Sequence, residues 1–406
     1  MFDRLKMVLR KNYIRRREIL HGRGVFKYLT NSSGYVLIIV LLITSLLVSI
    51  SSEFLIVAQT NMNYIRKFSE RLKAHTLAKA GVNLSTFILM ADKRGLASQF
   101  LGIGTTDKNI DCYNDIWAMD FPVIPLEDGY LEIDISDENS KINLSVLANE
   151  VVDRTPYYSI TQRFFLNMGF PIDMADVIID WVDIDDSRFP YGAESSDYYH
   201  TLVSSYDSKN SEMDSIDELL LVKGITPEIF YGIGGGTFGW EENLVDDNKG
   251  GKRIDQKLLE GIAEGDILEA IKEDESDFSD LTVEIGKESS RRLSDYLRVK
   301  GERADYLSEL NKININTAPF RVLSALTDNM TDDVVTELIS MRHANPFKSV
   351  EDIKDFIEDE NVRKNILTVK SYIFKIVSTG TVNRTSVKIT AHYYRDGKRF
   401  LYWSEE

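Results

Sequence analysis

The chain has 406 residues, 48 basic and 64 acidic side chains, a formal net charge of -16 and one cysteine. This length has room for two or three domains, and a hydrophobic content of 43% with 28% charged residues excludes disorder throughout. The single Cys112 excludes an intramolecular disulfide framework and a cysteine-based zinc cluster. The acidic average argues against a large nucleic-acid-binding surface.

The charge is divided unevenly along the chain. Residues 1–34 carry nine basic and two acidic side chains, a net charge of +7, so the remaining residues carry -23. A short basic end followed by an acidic body is typical of a chain that crosses a membrane with its short end in the cytoplasm.

An apolar segment follows the basic end. Residues 35–52 form an uncharged run of 18 residues, and residues 54–58 extend it after Glu53. About 20 apolar residues span the hydrocarbon core of a bilayer, so the run predicts one transmembrane helix. A buried helix of a soluble protein is the alternative, but the basic residues upstream favour the membrane. Because basic residues are enriched on the cytoplasmic side of membrane helices, the N-terminus is expected in the cytoplasm and the rest of the chain outside.

The junction between Gly34 and Tyr35 precedes this apolar run. A secretory signal would instead have a small-x-small cleavage site after the run, and none follows here. Cleavage after Gly34 would remove the basic leader and leave the helix as the mature N-terminus, which is the arrangement of type IV prepilins and pseudopilins. A simple uncleaved anchor is the alternative.

The helical pattern continues beyond the membrane segment. Apolar residues recur every three or four positions as far as Ile88, and no proline occurs before Pro122. This spacing predicts one helix of roughly 50 residues, half in lipid and half amphipathic, with its outer half packed on a globular head.

In the part of the chain that follows the long helix, the sequence predicts strands at both ends and helices between them. Residues 130–136 alternate apolar and polar side chains, and residues 372–378, 382–394 and 399–403 read as a meander with a hairpin turn at Asp396-Gly397. The predicted fold is therefore α+β, with a membrane and stalk helix and a sheet that is completed only after a large, mostly helical insertion. The predicted domains are a basic leader at 1–34, the helix at 35–95, the first part of the head at 96–149, the inserted domain at 150–365 with subdomains 150–240 and 286–365 and an acidic connector at 241–285, and C-terminal strands at 366–406.

Carboxylates are densest between Asp180 and Asp197. Several hard oxygens on one loop suit Ca²⁺, which takes six to eight oxygen ligands. An EF-hand is not expected, because Arg188 stands where that loop requires glycine and Pro190 lies inside it. No histidine or cysteine is nearby, so zinc is not expected. A differently folded calcium loop and a solvated acidic turn with helix-capping aspartates both remain open.

Residues 217–231 resemble a helix-hairpin-helix unit, because an apolar helix ends at Gly224 and a new helix begins with Thr226 and Pro227. A second such unit is predicted after Thr317. These hairpins often bind the DNA backbone, but the flanks here are acidic, which favours a structural or protein-binding role. No GxSxG, Walker or HExxH motif occurs and the five histidines are scattered, so no enzymatic activity is expected.

The ordered series of these features resembles the K-type minor pseudopilin of bacterial type II secretion systems, also called the general secretion pathway protein K family. The resemblance covers nearly the whole chain from Gly34 on. It is carried by the Gly34/Tyr35 junction with its apolar helix, by 138–144, by 180–186 with 192–194 and 198–199, by 221–226 and by 313–319.

The resemblance implies that prepilin peptidase cuts after Gly34 and that the new N-terminus at Tyr35 is methylated. It implies a single-pass inner-membrane protein with a periplasmic C-terminal domain. With I- and J-type minor pseudopilins it would form the tip of the pseudopilus, aiding export of folded proteins across the outer membrane. Ile39 stands where major pseudopilins carry a glutamate, and K-type members typically lack that glutamate too. The family also implies bound calcium, for which the ligand candidates are Asp183, Asp185, Asp186, Glu194 and Asp197.

A membrane-anchored DNA receptor of the competence type is the alternative function. Such a receptor also joins one membrane helix to helix-hairpin-helix units. It would need an exposed basic face, which the acidic body of this chain argues against.

Overall fold

The computed structural model describes residues 32–96, 108–126, 128–148, 155–170, 174–232, 245–246, 286–287, 292–299 and 308–406. The chain divides into two compact units, Met1–Ser69 and Glu70–Glu406. The α-helices in the described residues are α1 (Ser32–Lys93), α2 (Pro156–Asn167), α3 (Met174–Val182), α4 (Pro227–Tyr231), α5 (Phe320–Leu323) and α6 (Asp332–Ala344). The strands are β1 (Ile124–Leu126), β2 (Gly129–Asp137), β3 (Ile142–Asn143), β4 (Val245–Asp246), β5 (Gly286–Lys287), β6 (Leu297–Arg298), β7 (Ile313–Asn314), β8 (Leu367–Thr368), β9 (Ile373–Val382), β10 (Thr385–Tyr394) and β11 (Arg399–Glu405).

Helix α1 is continuous over 62 residues, which confirms the predicted long helix and exceeds its predicted length. In the part of the chain that the structure describes, it is the one helix long and apolar enough to cross a membrane. The apolar side chains from Tyr35 to Val57 are exposed, as a lipid-facing segment requires.

The outer part of α1 lies directly on the head sheet. A Cβ atom at Gly380 of β9 would come 2.2 Å from the carbonyl oxygen of Ala74 and 2.6 Å from the nitrogen of Ala78. The Ser378 hydroxyl donates a hydrogen bond of 2.8 Å to the carbonyl of Ala78, and Gly81 faces Ser378 without a side chain. Small residues on both elements therefore let the two backbones approach closely.

Replacing Gly380 with alanine should destabilise this helix–sheet contact. The added methyl group meets backbone atoms of α1, which cannot swing away as a flexible side chain would. We expect Gly380→Ala to lower the free energy of unfolding by about 1–3 kcal/mol, the usual cost of overpacking. Urea unfolding of residues 70–406 measures it. Thr379→Ala, on the other face of β9, is the control, and equal stability of Gly380→Ala and wild type would contradict the close packing.

The head contains a five-stranded antiparallel sheet in the order β1-β2-β9-β10-β11. Strands β2 and β9 are neighbours in the sheet although residues 138–372 separate them in sequence, with Leu131 opposite Gly380. Alternate side chains of β2, β9 and β10 are buried in a core with Trp117, whose ring meets Phe374 edge-on at 5.1 Å. The sheet is therefore completed only when the chain returns, as the sequence predicted.

The strand boundaries differ from the predicted ones at one turn. Val382, predicted to begin the second C-terminal strand, ends β9 instead and pairs with Thr385 across a two-residue connection. Asn383 adopts a φ of 55°, which asparagine tolerates better than most residues and which suits a tight hairpin. The asparagine was the sequence signal for this turn.

The inserted part contains two repeated units that share the same local structure. Lys-Ile-Asn occurs at 141–143 and again at 312–314, and each occurrence forms a short strand that pairs in parallel with a Leu-x-Val-Lys segment. The register is the same in both pairs, with isoleucine opposite leucine. The Asn143 and Asn314 side chains each accept a hydrogen bond from the backbone two residues on. A separate apolar core joins the two units.

The segment between these units is largely outside the described residues. The predicted acidic connector 241–285 lies outside the described residues except for β4. The predicted leader also lies outside them as far as residue 31. Within the described insertion, several predicted helical turns are 3-10 turns and not α-helix, among them Ile216–Leu221 and Val350–Ile353.

Candidate metal centre

Helix α3 positions the first carboxylates of the acidic region. Its sequence, Met-Ala-Asp-Val-Ile-Ile-Asp-Trp-Val, is buried at every residue, so Asp180 enters the interior with its apolar neighbours. Asp183 follows one residue after the helix ends, and its backbone nitrogen still bonds the carbonyl of Ile179 at 2.8 Å. Residues three apart in a helical turn share one face, which brings Asp180 and Asp183 together.

A loop brings a third carboxylate to the same place. Asp180, Asp183 and Glu194 each offer an oxygen, and these oxygens all lie within 4.8 Å of one another. Asp180 and Glu194 are buried and Asp183 is half-buried. Among the described residues, neither Asp180 Oδ2 nor Glu194 Oε1 has a hydrogen-bond partner. Buried carboxylate oxygens normally have partners, so these two atoms are the ones in this group that could bind a cation.

The other oxygens of these two residues are held in place by the loop. Asp180 Oδ1 accepts a hydrogen bond of 3.0 Å from the backbone nitrogen of Phe189, and Glu194 Oε2 accepts one of 3.2 Å from the Ser208 hydroxyl. Gly192 is required beside them, because a Cβ atom there would lie 1.8 Å from Asp180 Oδ2. The loop therefore leaves one oxygen of each residue available.

The proton affinities of the two buried carboxyls reflect the crowding. Burial, together with the charges of Asp176 and Asp197, raises the pKa of Asp180 to about 6. Burial and the charges of Asp180 and Asp186 raise the pKa of Glu194 to about 7. Both carboxyls therefore bind protons more tightly than ordinary carboxyls do, and a cation bound there would compete with those protons near neutral pH.

The remaining predicted ligands, Asp185, Asp186 and Asp197, are exposed and serve the loop itself. Asp185 accepts a hydrogen bond of 2.7 Å from the backbone of Ser187, and Asp186 accepts one of 3.1 Å from the side chain of Asn210. Asp197 pairs with Arg188 at 2.8 Å and accepts a second bond from the backbone of Glu194. These bonds outweigh the opposing effect of burial and lower the pKa of Asp197.

Of the five predicted ligands, the structure thus brings Asp183 and Glu194 together, and it adds Asp180, which the prediction passed over. The signal in the sequence was the spacing of three between Asp180 and Asp183 at the end of an apolar helix. Asn210 was also missed: its φ is 47°, and its side-chain oxygen is buried with no hydrogen-bond partner in the described residues.

The donor set suits a hard divalent cation. Carboxylate and amide oxygens without nitrogen or sulfur are the ligands of Ca²⁺ and Mg²⁺, and a mixed set on an irregular loop favours the more flexible coordination of Ca²⁺. The nearby cations Arg188 and Lys209 are engaged by other carboxylates, namely Asp197 for the first and Asp214 with Glu218 for the second.

A second carboxylate group, Asp92, Asp111 and Asp115, lies at the end of α1. The guanidinium group of Arg395 already forms ion pairs with this group, at 2.8 Å from Asp111 and 3.5 Å from Asp92. Burial and the charges of Asp115 and Asp111 raise the pKa of Asp92 to about 8. Cys112 is buried beside this group.

The hairpin residue Lys223 faces the same loop. Its Nζ lies 5.0 Å from the centre of the Tyr198 ring and 3.5 Å from the carbonyl oxygen of Gly192. Gly224 adopts a φ of 86° and the Thr226 hydroxyl accepts a bond from Ile229, as expected at a helix end and a helix start. The basic side chain of this turn therefore packs on the protein itself.

The predicted processing residues lie at the start of α1. Gly34 has open space around it, with nothing within 4 Å of a Cβ built there, and Tyr35 is 70% exposed. Both belong to the first compact unit.

Comparisons with known proteins agree with one another. Two family models, both described as type II secretion system (T2SS), protein K, match residues 140–233 and 313–369, one on each of the two repeated units. The type II secretion system protein K of Aeromonas hydrophila is 26% identical over 211 residues, which cover 48% of this chain and 60% of that protein. The matched region thus spans less than two thirds of the curated relative.

One solved structure shares the fold over most of the chain. A chain from the crystal structure of the GspK-GspI-GspJ complex of enterotoxigenic Escherichia coli superposes with a TM-score of 0.52 at 16% identity. The superposition covers 86% of this chain and 99% of that chain. The likeness therefore extends across both the head and the insertion.

Proposed function

We propose that the chain is a minor pseudopilin that forms the tip of the pseudopilus with I- and J-type partners, since two type II secretion system protein K models match it and its fold is that of a chain in the GspK-GspI-GspJ complex. The role is structural and not catalytic: the tip aids export of folded proteins across the outer membrane. The proposal includes a single-pass anchor in the inner membrane, a cytoplasmic N-terminus and a periplasmic head.

A second apolar face on the outer part of α1 carries this proposal. The sheet buries one side of the helix through Ala74, Ala78 and Val82. The opposite side carries an exposed stripe whose members follow at intervals of three or four residues and hence share one face: Leu72, Thr76, Ala80, Asn83 and Phe87.

The composition of the stripe fits a helical partner. Leu72 is 57% exposed and Phe87 is 67% exposed, whereas a surface helix normally presents polar residues to water. Thr76 and Ala80 between them are small, and they permit close approach of another helix. Lys79 borders the stripe in an otherwise acidic body, so an acidic flank is expected on the partner helix.

The test is assembly with soluble I- and J-type heads, using the full chain in detergent micelles. We expect the wild-type chain to co-elute with both heads, and the double variant Leu72→Glu/Phe87→Glu to lose them, because two charges would enter an apolar contact. Leu166→Glu, at an exposed leucine of α2, is the matched control. Co-elution that the double variant retains, or that the wild type never shows, would contradict the proposal.

We further propose that Asp180, Asp183 and Glu194 hold Ca²⁺, with the Asn210 oxygen as an additional ligand. The support is the group of buried oxygens described above and the cost of crowding three carboxylates without a cation. The bound ion would fix the loop between α3 and the hairpin and would supply structural stability, since metal binding to the folded state adds to the free energy of unfolding.

A further inference from the structure

Strand β11 is the open edge of the head sheet. The opposite edge, β1, is only three residues long and contains Pro125, and both features discourage further strand pairing. Strand β11 has seven residues, Arg399–Glu405, without proline, and in the described residues it pairs only with β10. The two edges of the sheet are therefore not equivalent.

The hydrogen-bond pattern shows which backbone groups face outward. Lys388 and Glu406 exchange both of their backbone hydrogen bonds, at 3.0 and 2.9 Å. Hydrogen-bonded and non-hydrogen-bonded pairs alternate along an antiparallel ladder. The N–H and C=O groups of Glu405 and Trp403 consequently point away from β10, toward the open edge, where an extended chain could bond them.

Two aromatic side chains lie beside this edge. Phe400 and Trp403 are 41% and 36% exposed, and their ring centres are 5.2 Å apart. They stand opposite the buried residues Tyr393 and Ala391 of β10, so they extend the apolar face of the sheet past its last covered strand. An added strand would cover both rings.

Charges and neighbours restrict what can bind there. The edge begins with Arg399 and ends with Glu405 and Glu406, and the two glutamates already pair with His75 and Lys388, so a complementary segment carries an acidic residue opposite Arg399. His75 of α1 contacts Glu405 at 3.3 Å, and Lys93 pairs with Asp396 before β11. His75 and Lys93 of α1 thus lie beside the β11 end of the sheet.

We propose that β11 accepts an extended segment of a partner pseudopilin as a sixth strand. The segment would bond the backbone groups at 403 and 405 and cover Phe400 and Trp403 with apolar side chains. The proposal rests on the proposed assembly with I- and J-type subunits and adds to it a strand contact separate from the helix contact.

The first test measures affinity of the full chain in detergent micelles for the I- and J-type heads. Glu405→Pro removes one outward N–H without touching the ladder to β10, and Glu405→Ala removes only the carboxylate. We expect Glu405→Pro to bind about fivefold more weakly than Glu405→Ala, as for one net hydrogen bond. We expect Trp403→Ala to lower affinity about tenfold, as for a buried aromatic anchor.

The second test identifies the occupant. A photoreactive amino acid at position 400 of the full chain should crosslink to one extended segment of a partner head, and the same group at Leu126, on the β1 edge, should not. If the β11 variants bind the partner heads as tightly as wild type does, the strand proposal is overturned and the proposed assembly stands. Crosslinks to a partner helix, to a secreted protein or to a second copy of this chain would also overturn it. Loss of the complex for the wild-type chain would overturn both proposals.

Discussion

Calcium should raise the free energy of unfolding of residues 70–406 by about 2.7 kcal/mol when its free concentration is 100 times its dissociation constant. The physical reason is that the ion binds the folded arrangement of Asp180, Asp183 and Glu194 and relieves their mutual repulsion. Thermal unfolding with calcium and with EDTA measures the effect. A melting temperature that is the same in both would contradict a metal centre.

A matched pair of variants locates the effect. Glu194→Gln keeps the shape of a buried ligand but removes its charge, so we expect the response to calcium to disappear and the metal-free protein to become more stable than wild type. Asp207→Asn removes an exposed carboxylate of the same loop that pairs with His200, and its response should match wild type. The reverse ranking of the two variants would place the ion elsewhere.

The calcium response should also depend on pH. The pKa values of Glu194 and Asp180 are raised to about 7 and about 6, so in the metal-free protein the stability that these groups contribute is present at low pH and is lost as the pH rises through these values. Calcium competes with the same protons. Its stabilising effect should therefore be small at pH 5.5 and complete near pH 8, and a pH-independent effect would argue against these two ligands.

Replacement of Gly34 should block processing completely. Cleavage after Gly34 would remove the basic leader of 34 residues, and Gly34 lies in open space where a peptidase can reach the backbone. In cells with active prepilin peptidase, we expect wild type to migrate faster than Gly34→Leu on a gel. N-terminal sequencing of the wild type recovered from membranes should begin at Tyr35.

The control for this result is Gly24→Leu, a glycine within the leader, which should be processed normally. Equal migration of Gly34→Leu and wild type would show either that no cleavage occurs or that it occurs elsewhere. Sequencing of the wild type then decides between an uncleaved anchor and a different processing site.

The regular elements could be predicted because their signals are local. An uncharged apolar run predicts α1, and alternation of apolar and polar residues predicts strands such as β2 and β10. The turn at Asn383 was predicted too early in the chain, between strands at 372–378 and 382–394. The reason is that flanking apolar residues can continue a strand on either side of a hairpin. The 3-10 turns of the insertion were predicted as helix because they share its spacing of apolar residues.

The sequence predicted where carboxylates are dense but not which of them come together. The acidic region stands out in the sequence, yet five of its aspartates and glutamates are equally plausible ligands by spacing. Asp185, Asp186 and Asp197 turned out to accept hydrogen bonds from the loop, whereas Asp180 enters the site from a fully buried helix. Only the path of the chain between Asp183 and Glu194 distinguishes them.

The sequence alone predicts the long apolar helix, the division of charge between residues 1–34 and the rest of the chain, the α+β composition of the head and the resemblance to the family. Each depends on residues close together in the chain. Tertiary structure alone decided that β2 meets β9 across the insertion, that glycine at 380 brings α1 onto the sheet, and that three particular carboxylates share one site. These contacts join residues far apart in sequence, and close packing selects among partners that local patterns leave equivalent.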